Sequence, residues 1–203
     1  MSGENEAGAV GQSIPRLEVR EKTTGRAQYI ADMSRPGMLH GAILQSPYAH
    51  ARILNYDVSE ALAMPGVVDV LTGDDLGDGR MGAFIKDEHA IAKHKVRYVG
   101  EPVAAVAAET ETIARRAARL IQIEYEELAA VLTPDEGLAD DAPIIHEDLE
   151  DYIKVFPAVC GGNLVSRTEL SQGDLDKGFA EADFIVEGTY ETPAQAHLAI
   201  EPC

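Results

Sequence analysis

The sequence predicts an α+β fold in which one amphipathic helix covers one face of a sheet. Three adjoining stretches carry that expectation. Val103-Ala104-Ala105-Val106-Ala107-Ala108 is an apolar run of strand length. Thr110 is placed to cap a helix reaching about Gln122. On that helix Ile113, Ala117, Leu120 and Ile121 recur at three- and four-residue spacing, opposite Arg115, Arg116 and Arg119. Ile123-Glu124-Tyr125-Glu126 then alternates as a half-buried strand does. A helix with a single apolar stripe needs a single sheet face to bury it, and the result is two layers.

The remaining elements follow in chain order. Residues 1–15 are polar and small and read as a disordered lead-in. Leu39 to Gln45 is strand-like, after the turn-rich Ser34-Arg35-Pro36-Gly37, and a second apolar stretch surrounds Ile53 to Asp57. Ser59 to Ala63 reads as a short helix capped by Ser59. Pro65-Gly66 ends it, because proline biases its predecessor away from helix and glycine tolerates positive φ. Val67 to Leu71 is rich in β-branched residues and reads as a strand. Residues 72–95 read as a long loop, order resumes at Val96 to Val99, and Gly100-Glu101-Pro102 makes a turn. Residues 133–165 hold Pro134, Pro143, Pro157, a Gly161-Gly162 pair and an acidic run, and read as an extended connector. Beyond it Asp174 is expected to cap a helix to about Ala182, and Phe184 to Glu191 to form a strand.

Charge narrows the range of functions. Seventeen basic residues stand against 35 acidic ones, a net charge of −18. Nucleic-acid binding needs a broad cationic face to displace counterions from phosphates, so it is not expected here. An anionic membrane surface is disfavoured for the same reason. No run of about 18 apolar residues is present. The start of the chain lacks the basic and apolar parts of a secretory signal, so the expected location is cytoplasmic. Cys160 and Cys203 lie far apart, and neither belongs to a Cys-x-x-Cys motif.

No catalytic constellation stands out. Residues 77–82 match the letters of a dinucleotide-binding glycine motif, but Ala83 to Glu88 is a poor helix start. Asp74, Asp75 and Asp78 would also repel phosphate, so the stretch reads as a loop. His89 and His94 are five apart and miss the register of a helical zinc pair. The carboxylate pairs Glu126-Glu127 and Asp140-Asp141 read as solvated surface. Tyr48, His50 and Arg52 cluster in sequence, with His50 expected to be hydrogen-bonded and packed beside a strand.

Several stretches, in order, resemble the molybdenum-cofactor-binding large subunit of the xanthine dehydrogenase and aldehyde oxidase family. They are Gly25 to Tyr29 with Asp32, Ser46 to Ile53, Met64 to Leu76, Val96 to Ala105, and Ala114 to Leu128. Later stretches that fit are Gly173 to Asp176, Ala182-Asp183, Gln195 to His197 and Glu201-Pro202. The resemblance implies an α/β-hammerhead domain over residues 16–132, a linker over 133–165, and over 166–203 the start of a molybdopterin-binding domain. It implies a larger enzyme with a molybdopterin-type molybdenum cofactor, and with iron–sulfur clusters and FAD in the complex. The expected partners are the rest of the molybdopterin-binding subunit and the iron–sulfur and FAD subunits or domains. The family's cofactor loops, substrate-facing arginine loop and base glutamate match nothing in these 203 residues. The resemblance therefore places no catalytic, cofactor-binding or metal residue here. Tyr48, His50 and Arg52 are expected to be structural or interface residues. A free-standing assembly or binding module with the same fold and no redox activity is the alternative.

Overall fold

A computed structural model describes residues 11, 13–155, 161–193 and 195. The chain divides into two units, one of residues 37–185 and one of residues 1–36 with 186–203.

The larger unit is built from two antiparallel three-stranded sheets. In chain order its strands are β1 (His40–Gln45), β2 (Ala51–Asp57), β3 (Val67–Thr72), β4 (Lys95–Val96), β5 (Pro102–Ala108) and β6 (Gln122–Glu127). One sheet runs β1-β5-β3 and the other β4-β2-β6. In the first sheet β5 is central. Its alternate residues Ala104 and Val106 face the helix layer, while Val103 faces a second cluster with Ala51, Ala92 and Val96. A strand used on both faces needs apolar residues at almost every position, which is why its sequence runs without alternation.

Three helices follow strands of this unit in turn: α1 (Ser59–Leu62) precedes β3, α2 (Glu111–Ala118) links β5 to β6, and α3 (Pro134–Gly137) is a single turn. The Thr110 hydroxyl accepts the Ile113 N–H, which satisfies one of the unpaired donors at the start of α2. The helix lays Ala114, Ala117 and Ala118 on the sheet, followed by Ile121. Alanines here let the helix axis approach the sheet closely. The buried stripe is thus rotated from the expected one: Ala114 and Ala118 join it, while Leu120 is left exposed. The helix also stops at Ala118 and not near Gln122, because Gln122 already pairs with Asp57 across β2 and β6.

The start of α1 is a correction. The carboxylate of Asp57 accepts both the backbone N–H (3.0 Å) and the hydroxyl (2.6 Å) of Ser59, which is itself the first helical residue. An ionised acceptor binds these donors more strongly than a hydroxyl would, and it holds the Asp57 carboxyl below the usual range. Gly66, at φ +87°, then turns the chain into β3. Of the order expected over Val96 to Val99, only a two-residue strand, Lys95–Val96, is formed.

Of residues 133–165, read as a connector, 133–155 hold α3 and are otherwise irregular. They lie against the loop before β4: Ile85 pairs with Lys154, and Ile85, Leu149 and Tyr152 form a buried cluster. Asn163 accepts from Ile145 N–H and donates to the carbonyls of Gly137 and Pro143. Further along, α4 (Leu175–Glu181) is capped as expected by Asp174, whose carboxylate accepts the Lys177 N–H. The expected strand over 184–191 is not formed. Phe184, Val186 and Tyr190 are exposed, and no neighbouring strand among the described residues supplies the ladder that an extended segment needs.

In the smaller unit, a five-residue helix spans Val19–Thr23 and a 3-10 turn spans Ile30–Asp32. In that turn the Asp32 carboxylate accepts the Tyr29 N–H.

Candidate functional site

The Ser46 to Arg52 segment passes from β1 into β2. Buried Ser46 makes a local turn, its hydroxyl accepting the Tyr48 N–H at 3.0 Å. The Tyr48 ring packs on Tyr125 with centroids 5.0 Å apart, which ties the segment to β6. His50 is 4% exposed. Its backbone carbonyl accepts the Leu128 N–H at 2.9 Å, and its ring Nδ1 lies 2.6 Å from the Ala129 carbonyl oxygen. A carbonyl can only accept, so Nδ1 carries the proton. His50 therefore grips the chain leaving β6 from both its backbone and its ring, as expected for a hydrogen-bonded residue beside a strand. Its Nε2 is buried and has no partner among the described residues. Arg52 donates to Glu126 at 2.9 Å in an exposed pair. Tyr48, His50 and Arg52 are close in sequence but serve three separate contacts, and they do not converge on one point.

The other motifs resolve in the same way. Residues 77–82 lie in a loop that opens no helix. Gly77 and Gly79 face open space, whereas Gly82, at φ +143°, runs against the Ile85 carbonyl. Among the described residues no three His, Cys, Asp or Glu side chains gather as a metal site. Cys160, His197 and Cys203 lie outside the described residues. Glu126 is taken up by Arg52, and Asp140 and Asp141 are exposed.

Two ionisable groups, Glu101 buried and His146 half-buried, carry no signature that the sequence makes obvious. Glu101 in the Gly100 turn is 6% exposed, and burial raises its carboxyl pKa. It accepts the Arg97 backbone N–H and so braces the turn. The signal available was an acid held between Gly100 and Pro102, where the side chain can fold back on the turn. His146 is pushed down to about 4, first by burial and then by the nearby Arg97 charge. It lines a cavity of about 450 Å³ whose walls are largely apolar, including Val131, Leu138, Leu149 and Leu164.

These contacts make a braced two-sheet scaffold, and the comparisons with known proteins agree with it. Residues 24–129 match the family described as aldehyde oxidase and xanthine dehydrogenase, a/b hammerhead domain. The chain is 41% identical to a probable xanthine dehydrogenase subunit of Bacillus subtilis, over 92% of this chain and 23% of that protein. It is 37% identical to the nicotinate dehydrogenase large molybdopterin subunit of Eubacterium barkeri, over 95% of this chain and 43% of that one. Among solved structures, quinoline 2-oxidoreductase from Pseudomonas putida 86 superposes with a TM-score of 0.72 at 38% identity, covering 88% of this chain and 22% of that one. The chain thus spans less than half the length of these relatives. It belongs to the aldehyde oxidase and xanthine dehydrogenase family and carries that family's α/β-hammerhead domain.

Proposed function

We propose that this chain is the N-terminal portion of the large subunit of a molybdenum hydroxylase-type oxidoreductase, where it serves as a scaffold and interface domain. One observation carries the reading. The match runs along almost the whole of this chain but occupies 23% and 43% of relatives named as dehydrogenase subunits. The polar side chains are spent in keeping with that role. His50, Glu101, Ser46 and Arg52 bond to backbone or to neighbouring side chains of the same scaffold.

On this reading residues 16–132 are the hammerhead, 133–165 the linker and 166–203 the start of the molybdopterin-binding domain, after a lead-in over 1–15. The complete subunit holds a molybdopterin-type cofactor, which supplies the redox chemistry when bound. Iron–sulfur clusters and FAD are carried by partner subunits or domains, and the complex is cytoplasmic. The described residues do not themselves fit the cofactor. No three potential ligands gather, and the glycines of 77–82 sit among Asp74, Asp75 and Asp78, whose charge opposes an anionic group. No helix among the described residues is long and apolar enough to cross a membrane.

The test is recovery of the tagged polypeptide from its native host, with molybdenum, iron and flavin measured beside the recombinant chain. The expected result is all three in the native complex and only trace molybdenum on the isolated chain. Stoichiometric molybdopterin on the recombinant polypeptide without companions would overturn the reading. Recovery of the chain alone, without redox partners, would favour the free-standing module.

A further inference from the structure

A pocket of about 260 Å³ opens between β2, the loop before β4, β4 itself and residues 147–148. It gathers five of the seventeen basic residues, Arg52, Arg80, Lys93, Lys95 and Arg97, against two lining carboxylates, Glu147 and Asp148. In a chain of net charge −18 this is a local reversal of sign that composition alone does not produce. His89 also lines it. Its pKa is lowered by burial first and then by Arg80, Arg97 and Lys93, which is how a neighbouring ring responds to an excess of positive charge.

Four of the five cations face carboxylates. Lys95, nearly buried, holds Glu147 at 2.6 Å, and Arg52 holds Glu126 at 2.9 Å. Lys93 meets Asp78 at 2.7 Å and Arg80 meets Asp148 at 3.8 Å, and both acids are well exposed. A pair with so exposed an acid contributes about 0–1 kcal/mol, so Lys93 can turn to a new anion at little cost. Arg80 is held in place as well by the Tyr152 ring, 4.6 Å away, and by the Asp87 carbonyl. Arg97 differs. Its Nε donates to the Ile145 carbonyl at 3.2 Å and its Nη1 to the Lys95 carbonyl at 3.3 Å. These neutral acceptors fix the plane of the guanidinium, and among the described residues no carboxylate is ion-paired with it. A planar fork held in advance by backbone is the geometry suited to an oxyanion. The volume falls below the roughly 300–1,000 Å³ of sites for larger ligands, so the pocket suits a small anion.

We propose that this pocket binds a single phosphate group, free or as a small phosphomonoester, with the Arg97 guanidinium as the anchor, Lys93 closing on it and Arg80 adding a fixed positive charge to the wall. The proposal stands apart from the scaffold role and does not depend on it. To test it, the 203-residue chain is titrated with inorganic phosphate, then glycerol phosphate, then a glutamate-rich peptide, at fixed ionic strength, following backbone and histidine NMR signals. Saturable shifts confined to residues 52, 80–97 and 145–148 are expected. Tighter binding of glycerol phosphate than of phosphate assigns the ester form, and the reverse assigns the free ion. Arg97→Gln is expected to weaken binding about tenfold, the scale of one lost charge-assisted bond pair. Because that variant also drops two bonds to backbone, Lys93→Gln provides a second arm with an expected loss of about threefold. Arg115→Gln, on α2 and paired with Glu111, should bind as the parent does. No saturation, equal losses in all three variants, or stronger binding of the acidic peptide than of either phosphate compound overturns the proposal.

Discussion

Gly73 opens the 3-10 turn that follows β3, and its substitution by alanine tests how the loop before β4 is held against that turn. A Cβ there would stand 2.3 Å from the Ala92 carbonyl oxygen and 2.5 Å from the Lys93 Cα. Comfortable separations are roughly 3.5 Å, so one backbone or the other has to move by about 1 Å. Ala92 is poorly free to do so. Its N–H donates to the Pro102 carbonyl at 2.7 Å, and its carbonyl accepts the Tyr56 hydroxyl at 3.0 Å. The carbonyl that the Cβ would strike is the one that holds the Tyr56 hydroxyl, so displacing Ala92 breaks that bond as well as the contact. Forced repacking costs about 1–3 kcal/mol and a lost buried hydrogen bond about 1 kcal/mol, so a total near 3 kcal/mol is expected. For a unit of this size that corresponds to a fall of roughly 6–12 °C in Tm. The assay is a thermal melt followed by circular dichroism, with urea titration to confirm an unchanged m-value. Gly79→Ala is the control, since a Cβ at Gly79 meets nothing within 4 Å. If Gly73→Ala melts within about 1 °C of Gly79→Ala, the turn is not pressed on Ala92 and the reasoning fails.

Three further outcomes are expected. Ala114→Leu should cost about 1–3 kcal/mol by overfilling the α2–sheet contact, whereas Leu120→Gln should stay within about 0.5 kcal/mol; the reverse order in urea denaturation would restore the stripe expected from spacing. Thr110→Ala should cost about 1 kcal/mol and Thr110→Ser much less, because only the hydroxyl acceptor is needed; equal losses in chemical denaturation would show that the methyl and not the cap matters. His146 has its folded pKa near 4, below the 6.5 of the free side chain, so between those values the unfolded chain takes up a proton that the folded one refuses. Stability should therefore fall as pH drops from about 6.5 to about 4, and His146→Gln should show less of that fall. Parallel slopes for the two proteins in urea midpoints against pH would refute the assignment.

Local sequence carried most of the element order, and the places where it failed share a physical cause. Strands β1, β2, β3, β5 and β6 were legible because each turns at least one side onto a core cluster and so needs a run or an alternation of apolar residues. The caps at Thr110 and Asp174 were legible because a cap is a contact over three residues. The Ser59 cap was misplaced by the same local logic: two acceptors stood close together, and the stronger carboxylate of Asp57 took the position. The strand expected at 184–191 alternated correctly but lacked a neighbour, and alternation alone does not supply one. Of the site residues, His50 was read as a bonded residue beside a strand, but its partner at Ala129 lies 79 positions away. The cationic pocket went unseen because its five basic residues are scattered from 52 to 97 in a chain dominated by acids.

By itself the sequence determined the α+β class, the position of the central apolar strand and the family. Each of these follows from composition, periodicity or an ordered set of short motifs, and all are carried along the chain. Tertiary structure alone decided which face of α2 is buried, where that helix stops, which side chains hold the 133–155 segment, and how Arg97 is oriented. Those outcomes depend on partners tens of residues apart. A helix stripe is chosen by the sheet it meets, and a guanidinium is aimed by carbonyls that only folding brings to it.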